Sequence, residues 1–195
     1  MARPETLKNR LPLITIFFVC ASLITYVWPY ISELLVYDRQ AIINGELWRL
    51  FSAPLVHFSA SHLCWNVLVL AAAGWLAEKA DPRGFLIVCA FSAILPGLMF
   101  LWGSPELMRY GGLSGLATGA VVYLCLRKVI ATDRDKLIWL TILVLVGLKL
   151  IVEIVTGNPL FVRADTSFHV LPAAHFFGSV GALVGLMWWR LDKVS

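Results

Sequence analysis

Apolar residues run along this chain in blocks of roughly 17–25, each closed by a short polar connector, and about 20 apolar residues suffice for a helix to cross a bilayer core. Six such blocks are present, at 11–36, 60–78, 84–102, 112–127, 137–156 and 169–189. The pattern predicts an all-α membrane protein, a six-transmembrane-helix bundle forming one domain over residues 1–195. The first block is long for the core of a signal peptide, and no Ala-x-Ala-like site follows it, so it is expected to stay as a span.

Two stretches depart from regularity. From Gly112 to Leu126 the fourth block has 15 residues before its first basic residue, about 22 Å of helix against a core of about 30 Å. With its inner end at Arg127 and Lys128, this short fourth helix stops below the outer surface. The stretch Gly111-Gly112-Leu113-Ser114-Gly115 then dips into the protein as a loop. Non-helical backbone at that depth is tolerated only when buried in protein or lining a wet cavity, so a water-filled cavity is expected there. The other departure is the connector from Tyr37 to Ser59, where Trp48, Phe51 and Phe58 stand among polar residues. It reads as an interfacial first connector, or more plainly as a loop with an aromatic anchor.

Composition sharpens this picture. The chain is 59% hydrophobic and 14% charged, with mean hydropathy +0.81, far too apolar for a soluble domain. Its net charge of +4 reads as membrane topology, and no nucleic-acid partner is expected. Arg3, Lys8, Arg10, Lys79, Arg83, Arg127, Lys128, Arg134, Lys136, Arg190 and Lys193 fall in connectors on one side. Only Arg39, Arg49, Arg109 and Arg163 fall on the other, and Lys149 lies within a span. The positive-inside rule then puts both termini in the cytoplasm. Cys20, Cys64, Cys89 and Cys125 all sit within apolar blocks and are expected to be small core residues, with no metal and no disulfide framework implied.

Polar side chains inside a span default to functional hypotheses. His62 and Asn66 stand four apart and share one helical face. They serve equally well as donors into a cavity or as polar glue between helices. Ser114 lies between Gly112 and Gly115 at a helix start, where unpaired N–H groups and the positive dipole end suit a nucleophile beside an oxyanion. The same small residues are also common at packed membrane interfaces. His175 opens a segment whose Gly178, Gly181, Ala182 and Gly185 allow close helix approach, which could bring it to Ser114. A buried, satisfied histidine is the alternative. Lys149 and Glu153, spaced i and i+4, are expected to form an ion pair, structural or else concerned with gating or substrate contact.

Taken together, these residues resemble the rhomboid intramembrane serine proteases. The likeness runs from Gly45 to Gly185: Gly-Glu-Leu-Trp-Arg at 45–49, the two histidines and asparagine His57, His62 and Asn66, then Gly74 and Glu78-Lys79, Gly-Leu-Ser-Gly at 112–115, and Ala174-His175 with Gly178. The resemblance implies a Ser114–His175 dyad, with no carboxylate third member. It implies oxyanion stabilisation by His62, Asn66 and the Ser114 backbone N–H. It also implies structural support from Gly112, Gly115, Gly178, Arg49 and Glu78, with His57 a structural connector residue. No cofactor is implied. Substrates would be single-span membrane proteins entering beside the fifth span, and the site would lie in a bacterial inner membrane among lipid.

There are departures. Where many members carry a tyrosine four residues after the serine, this chain has Thr118, so His175 is expected to be placed by Phe176 or by backbone of the fourth helix. Ala182 stands where a glycine is common. The compact chain and Arg-Tyr-Gly-Gly-Leu-Ser-Gly at 109–115 look similar to the rhombosortase branch, which implies substrates with a C-terminal Gly-Gly motif. A catalytically silent rhomboid-like chaperone and a small transporter are the rival functions.

Overall fold

The computed structural model describes residues 10–131, 134–156, 160 and 172–192. Arg3, Lys8, Arg163 and Lys193 of the charge pattern, and the first residues of the block at 169–189, lie outside them.

The first expected span is two helices rather than one. Helix α1 (Leu13–Val27) and helix α2 (Pro29–Leu35) meet at a bend of 118°. Pro29 is the cause: it lacks an N–H, its ring crowds the preceding turn, and Trp28 is pushed to an extended conformation (φ −110°, ψ 96°). The connector that follows is built of short pieces. These are strand β1 (Tyr37–Asp38), helix α3 (Arg39–Ile43), helix α4 (Arg49–Ser52) and a 3-10 turn (Ala53–Leu55). Arg49 ties them together. Its Nε meets Glu46 Oε2 at 2.7 Å, and its Nη1 donates to the carbonyls of Glu33 (2.7 Å) and Val36 (2.9 Å). Trp48 and Phe51 stay exposed on this segment, the placement an interfacial connector requires.

The long helices follow as α5 (Ala60–Ala80), α6 (Pro82–Gly103), α7 (Ser114–Ala131), α8 (Lys136–Thr156) and α9 (Pro172–Asp192). Asp81 makes the sharp turn between α5 and α6. It closes α5, its carboxylate accepts from Gly84 N–H (3.1 Å), and Pro82 holds the first position of α6. Before α7, strand β2 (Arg109–Tyr110) pairs antiparallel with β1, Tyr37 opposite Tyr110. The apolar pattern, which predicts only helices, does not indicate this small ladder. Among the described residues, α5, α6, α7 and α8 are each long and apolar enough to cross a membrane, and the bent α1–α2 pair qualifies when taken together. The protein is an integral membrane protein.

Helix α7 is less truncated than expected. It has 18 residues, because it continues past Arg127 and Lys128 to Ala131, and so reaches about 27 Å. Arg127 is accommodated by aromatic faces, its guanidinium 4.8 Å from the Trp189 ring centroid and 5.6 Å from that of Tyr123. Helix α7 is the central post, packed by α5, α6, α8 and α9. Leu113, Ala120 and Tyr123 are fully enclosed there. Helix α8 is peripheral, and Glu153 is its sole buried residue. The cysteine expectation holds for Cys89 and Cys125, which are buried. Cys20 and Cys64 instead lie exposed on outward faces, where an apolar thiol is compatible with lipid.

Candidate active site

The Gly-Gly loop sets the position of Ser114. Gly112 has φ +135°, a conformation open to glycine and costly for other residues, and its N–H donates to Ala53 O (3.2 Å). Gly111 lies so near the connector that a Cβ there would stand 2.8 Å from Val56 O. The first bond inside α7 runs from Ala117 N–H to Leu113 O (2.8 Å). The N–H of Ser114 therefore precedes the bonded ladder, at the positive end of the helix.

Close approach of α7 and α9 brings His175 beside it. A Cβ on Gly115 would come within 2.9 Å of Ala174 O, and one on Gly178 within 2.0 Å of Gly115 O. Ser114 precedes Gly115, and His175 follows Ala174. Both side chains are buried and face one cavity of about 280 Å³ between α5, α7, α8 and α9. No hydrogen bond joins Ser114 to His175 in this structure. Nucleophile and base often tighten only when substrate arrives.

His62 and Asn66 on α5 line the same cavity. Space for the His62 ring depends on Gly112, since a Cβ there would meet His62 Cε1 at 2.6 Å. Asn66 Nδ2 lies 3.2 Å from His57 Nε2, and the N–H of Leu113 donates to that same nitrogen at 3.2 Å. His57, read from sequence as a connector residue, thus fixes both an oxyanion candidate and the residue before the nucleophile. Burial pushes its imidazole down to about 3, with the neighbouring His62 adding in the same direction, so His57 is a neutral acceptor at Nε2.

The fifth block holds the largest surprise. Lys149 and Glu153 do pair, Nζ to Oε2 at 2.7 Å. The same Oε2 also lies 2.8 Å from His175 Nδ1, and Lys149 Nζ lies 3.2 Å from that nitrogen. From sequence, no carboxylate is expected beside the histidine, and Phe176 or backbone of the fourth helix is expected to place it. The structure corrects the first of these by placing the Glu153 carboxylate against the ring. Phe176 is 51% exposed and its ring stacks edge-on with Phe177, while Glu153 occupies the histidine's inner nitrogen. A signal was available: a carboxylate on an otherwise lipid-facing helix needs an inward partner. Thr118 lines the cavity wall.

Arg49 and Glu78 lie outside the cavity. Arg49 holds the connector. Glu78, at the last turn of α5, accepts from the N–H groups of Ile14 (2.9 Å) and Thr15 (2.8 Å) and from the Thr15 hydroxyl (2.8 Å).

A family model described as Rhomboid domain matches residues 44–191. The chain is similar to the Rhomboid protease GlpG of Pectobacterium atrosepticum, 37% identical over 83 residues, which cover 42% of this chain and 29% of that protein. It is 33% identical over 102 residues to Rhomboid protease GlpG of Klebsiella pneumoniae (51% and 33% covered). With that of Enterobacter sp. it shares 34% over 107 residues (54% and 34%). The matched stretch spans about a third of the length of these curated relatives.

Proposed function

This chain belongs to the rhomboid family, and from that membership we propose that it is an intramembrane serine endopeptidase with Ser114 as nucleophile and His175 as general base. Ser114 Oγ attacks the scissile carbonyl while His175 takes its proton. The tetrahedral oxyanion is held by the Ser114 N–H and by the side chains of His62 and Asn66. Preorganised donors of this kind are each worth about 2.7–4 kcal/mol of barrier. Collapse passes the proton to the leaving amine and leaves an acyl-serine. Water, activated by the same imidazole, then attacks the ester and releases Ser114. The observation that carries the reading is the shared cavity, in which a helix-start serine and a histidine from the last helix converge beside two polar groups of α5.

Substrates in this reading are single-span membrane proteins. A helix must unwind locally before its amides can be attacked, and glycine lowers that cost by about 1 kcal/mol per residue relative to alanine. A Gly-Gly motif ahead of an apolar C-terminal helix therefore suits the site, in line with the likeness of residues 109–115 to the rhombosortase branch. The site would work in a bacterial inner membrane with both termini in the cytoplasm.

Labelling of the reconstituted protein with a serine-directed fluorophosphonate tests the assignment. Expected is one adduct on Ser114, abolished in Ser114→Ala together with cleavage of a single-span reporter. Reporter cleavage that persists in Ser114→Ala sinks it. A folded protein that takes no label and cleaves nothing, yet stabilises membrane clients equally with and without Ser114, favours the chaperone function.

A further inference from the structure

We propose that Glu153 is a positioning residue for His175, holding the imidazole with its proton on Nδ1 and its free lone pair on Nε2, with Lys149 as the fixed counter-ion. The inference rests on the reading of His175 as base, and extends the Ser–His pair by a carboxylate from a different helix.

The bonding capacities of the groups carry it. An ionised carboxylate only accepts hydrogen bonds and an ammonium only donates. Both carboxylate oxygens of Glu153 are engaged. Oε2 faces His175 Nδ1 at 2.8 Å and Lys149 Nζ at 2.7 Å, while Oε1 accepts from Leu160 N–H at 3.1 Å. A contact of 2.8 Å between an acceptor-only oxygen and a ring nitrogen requires a proton on that nitrogen. The longer 3.2 Å approach of Lys149 Nζ to the same atom is the incidental result of two donors sharing one oxygen. With Nδ1 protonated, neutral His175 presents a bare Nε2, the form needed to take a proton from serine.

Burial makes the arrangement specific. Glu153 is 1% exposed and His175 5%. Trp139, Leu143 and Val146 of α8 pack against the core only partly buried, and the one side chain that this helix buries fully is the acid Glu153. An ion pair needed only to neutralise Lys149 could lie on the outward face of α8. Here it is aimed at the base instead. Lys149, Glu153 and Thr118 line the cavity with Ser114 and His175.

Two measurements test this on the full-length protein in lipid. In the first, Glu153→Gln, Glu153→Asp and wild type are compared for single-span reporter cleavage, with Ser114→Ala as the control for the underlying reading. Expected is a fall in kcat of about 100-fold or more for Glu153→Gln, the scale of a lost general base, with KM within about twofold. Glu153→Asp should recover part of the loss. The second uses wild type alone, so it stands even if the variants fold badly. In 15N spectra at mildly alkaline pH, neutral His175 should carry its proton on Nδ1. A folded Glu153→Gln with wild-type kcat, or a neutral His175 protonated on Nε2 in wild type, overturns the inference. Either result leaves the serine reading intact provided Ser114→Ala is inactive, whereas an active Ser114→Ala removes that reading first.

Discussion

Gly178 and Gly115 cross so closely that a Cβ on Gly178 would lie 2.0 Å from the Gly115 carbonyl oxygen. No side-chain torsion relieves that contact, because both partners are backbone. Gly178→Ala should therefore push α9 away from α7. Overpacking of this kind costs about 1–3 kcal/mol, and the severity here points to the upper end. His175 lies three residues before Gly178, so it moves with the helix, and a shift near 1 Å can cost about 100-fold in rate. Gly147→Ala is the control, since a Cβ there meets nothing within 4 Å. Thermal unfolding and reporter cleavage should both drop for Gly178→Ala and stay near wild type for Gly147→Ala. Equal behaviour of the two would contradict the crossing.

Gly112 supports the oxyanion site in a different way. Alanine there must adopt φ +135° and place its methyl 2.6 Å from His62 Cε1. Strain of this sort costs about 1–3 kcal/mol, and displacement of His62 removes a donor worth about 100- to 1,000-fold in kcat. Gly112→Ala should lower kcat more than it raises KM. If the effect works through His62, adding His62→Ala should cost little more, so the double variant falls short of the product of the two singles. Full multiplicativity would show that the glycine acts elsewhere.

Much of this was readable beforehand because membrane burial makes chemistry conspicuous. Ser114, His62, Asn66 and His175 are polar residues in apolar blocks, and the small residues after His175 announce a close helix crossing. The parts that escaped depend on direction, which spacing does not encode. The i, i+4 pair of Lys149 and Glu153 was foreseen, but not that it turns inward onto His175. Pro29 lay in plain view inside a long apolar block, yet apolar length outweighed it and one span was expected where the chain bends. The fourth helix looks short in the sequence when Arg127 and Lys128 mark its end. They continue the helix, and Arg127 finds aromatic partners that no local pattern reveals.

Glu78 should matter for stability rather than chemistry. Helix α1 starts at Leu13 behind Pro12, with no side-chain cap of its own. The carboxylate of Glu78 supplies that cap from the end of α5 and also takes the Thr15 hydroxyl. Hydrogen bonds to a charged group contribute about 1.5–3 kcal/mol each and do not add fully. Glu78→Ala should thus lose about 3 kcal/mol or more, seen as a lowered thermal midpoint in detergent. At temperatures where the variant stays folded, kcat should be near wild type, because Glu78 lies apart from the Ser114 cavity. A stable variant with a collapsed kcat would reverse this assignment.

His57 gives the fold an acid sensitivity whose direction follows from its burial. Its ordinary value near 6.5 is pushed down to about 3 in the fold, chiefly by loss of solvent. Above about 6.5 the imidazole is neutral whether the chain is folded or not, and it adds no pH dependence. As pH falls below that value, the unfolded chain takes up a proton that the native state refuses. Stability is therefore full above about 6.5 and declines progressively toward 3. The native imidazole must remain an acceptor, because Nε2 receives both Leu113 N–H and Asn66 Nδ2–H. His57→Gln should start from a lower midpoint at neutral pH, having lost a well-placed acceptor. Its stability should also fall less steeply between pH 6.5 and 4.5. Thermal unfolding of both proteins in detergent across that window is the measurement. Parallel curves would mean that His57 titrates as a solvated histidine and that carboxylates alone set the acid limb.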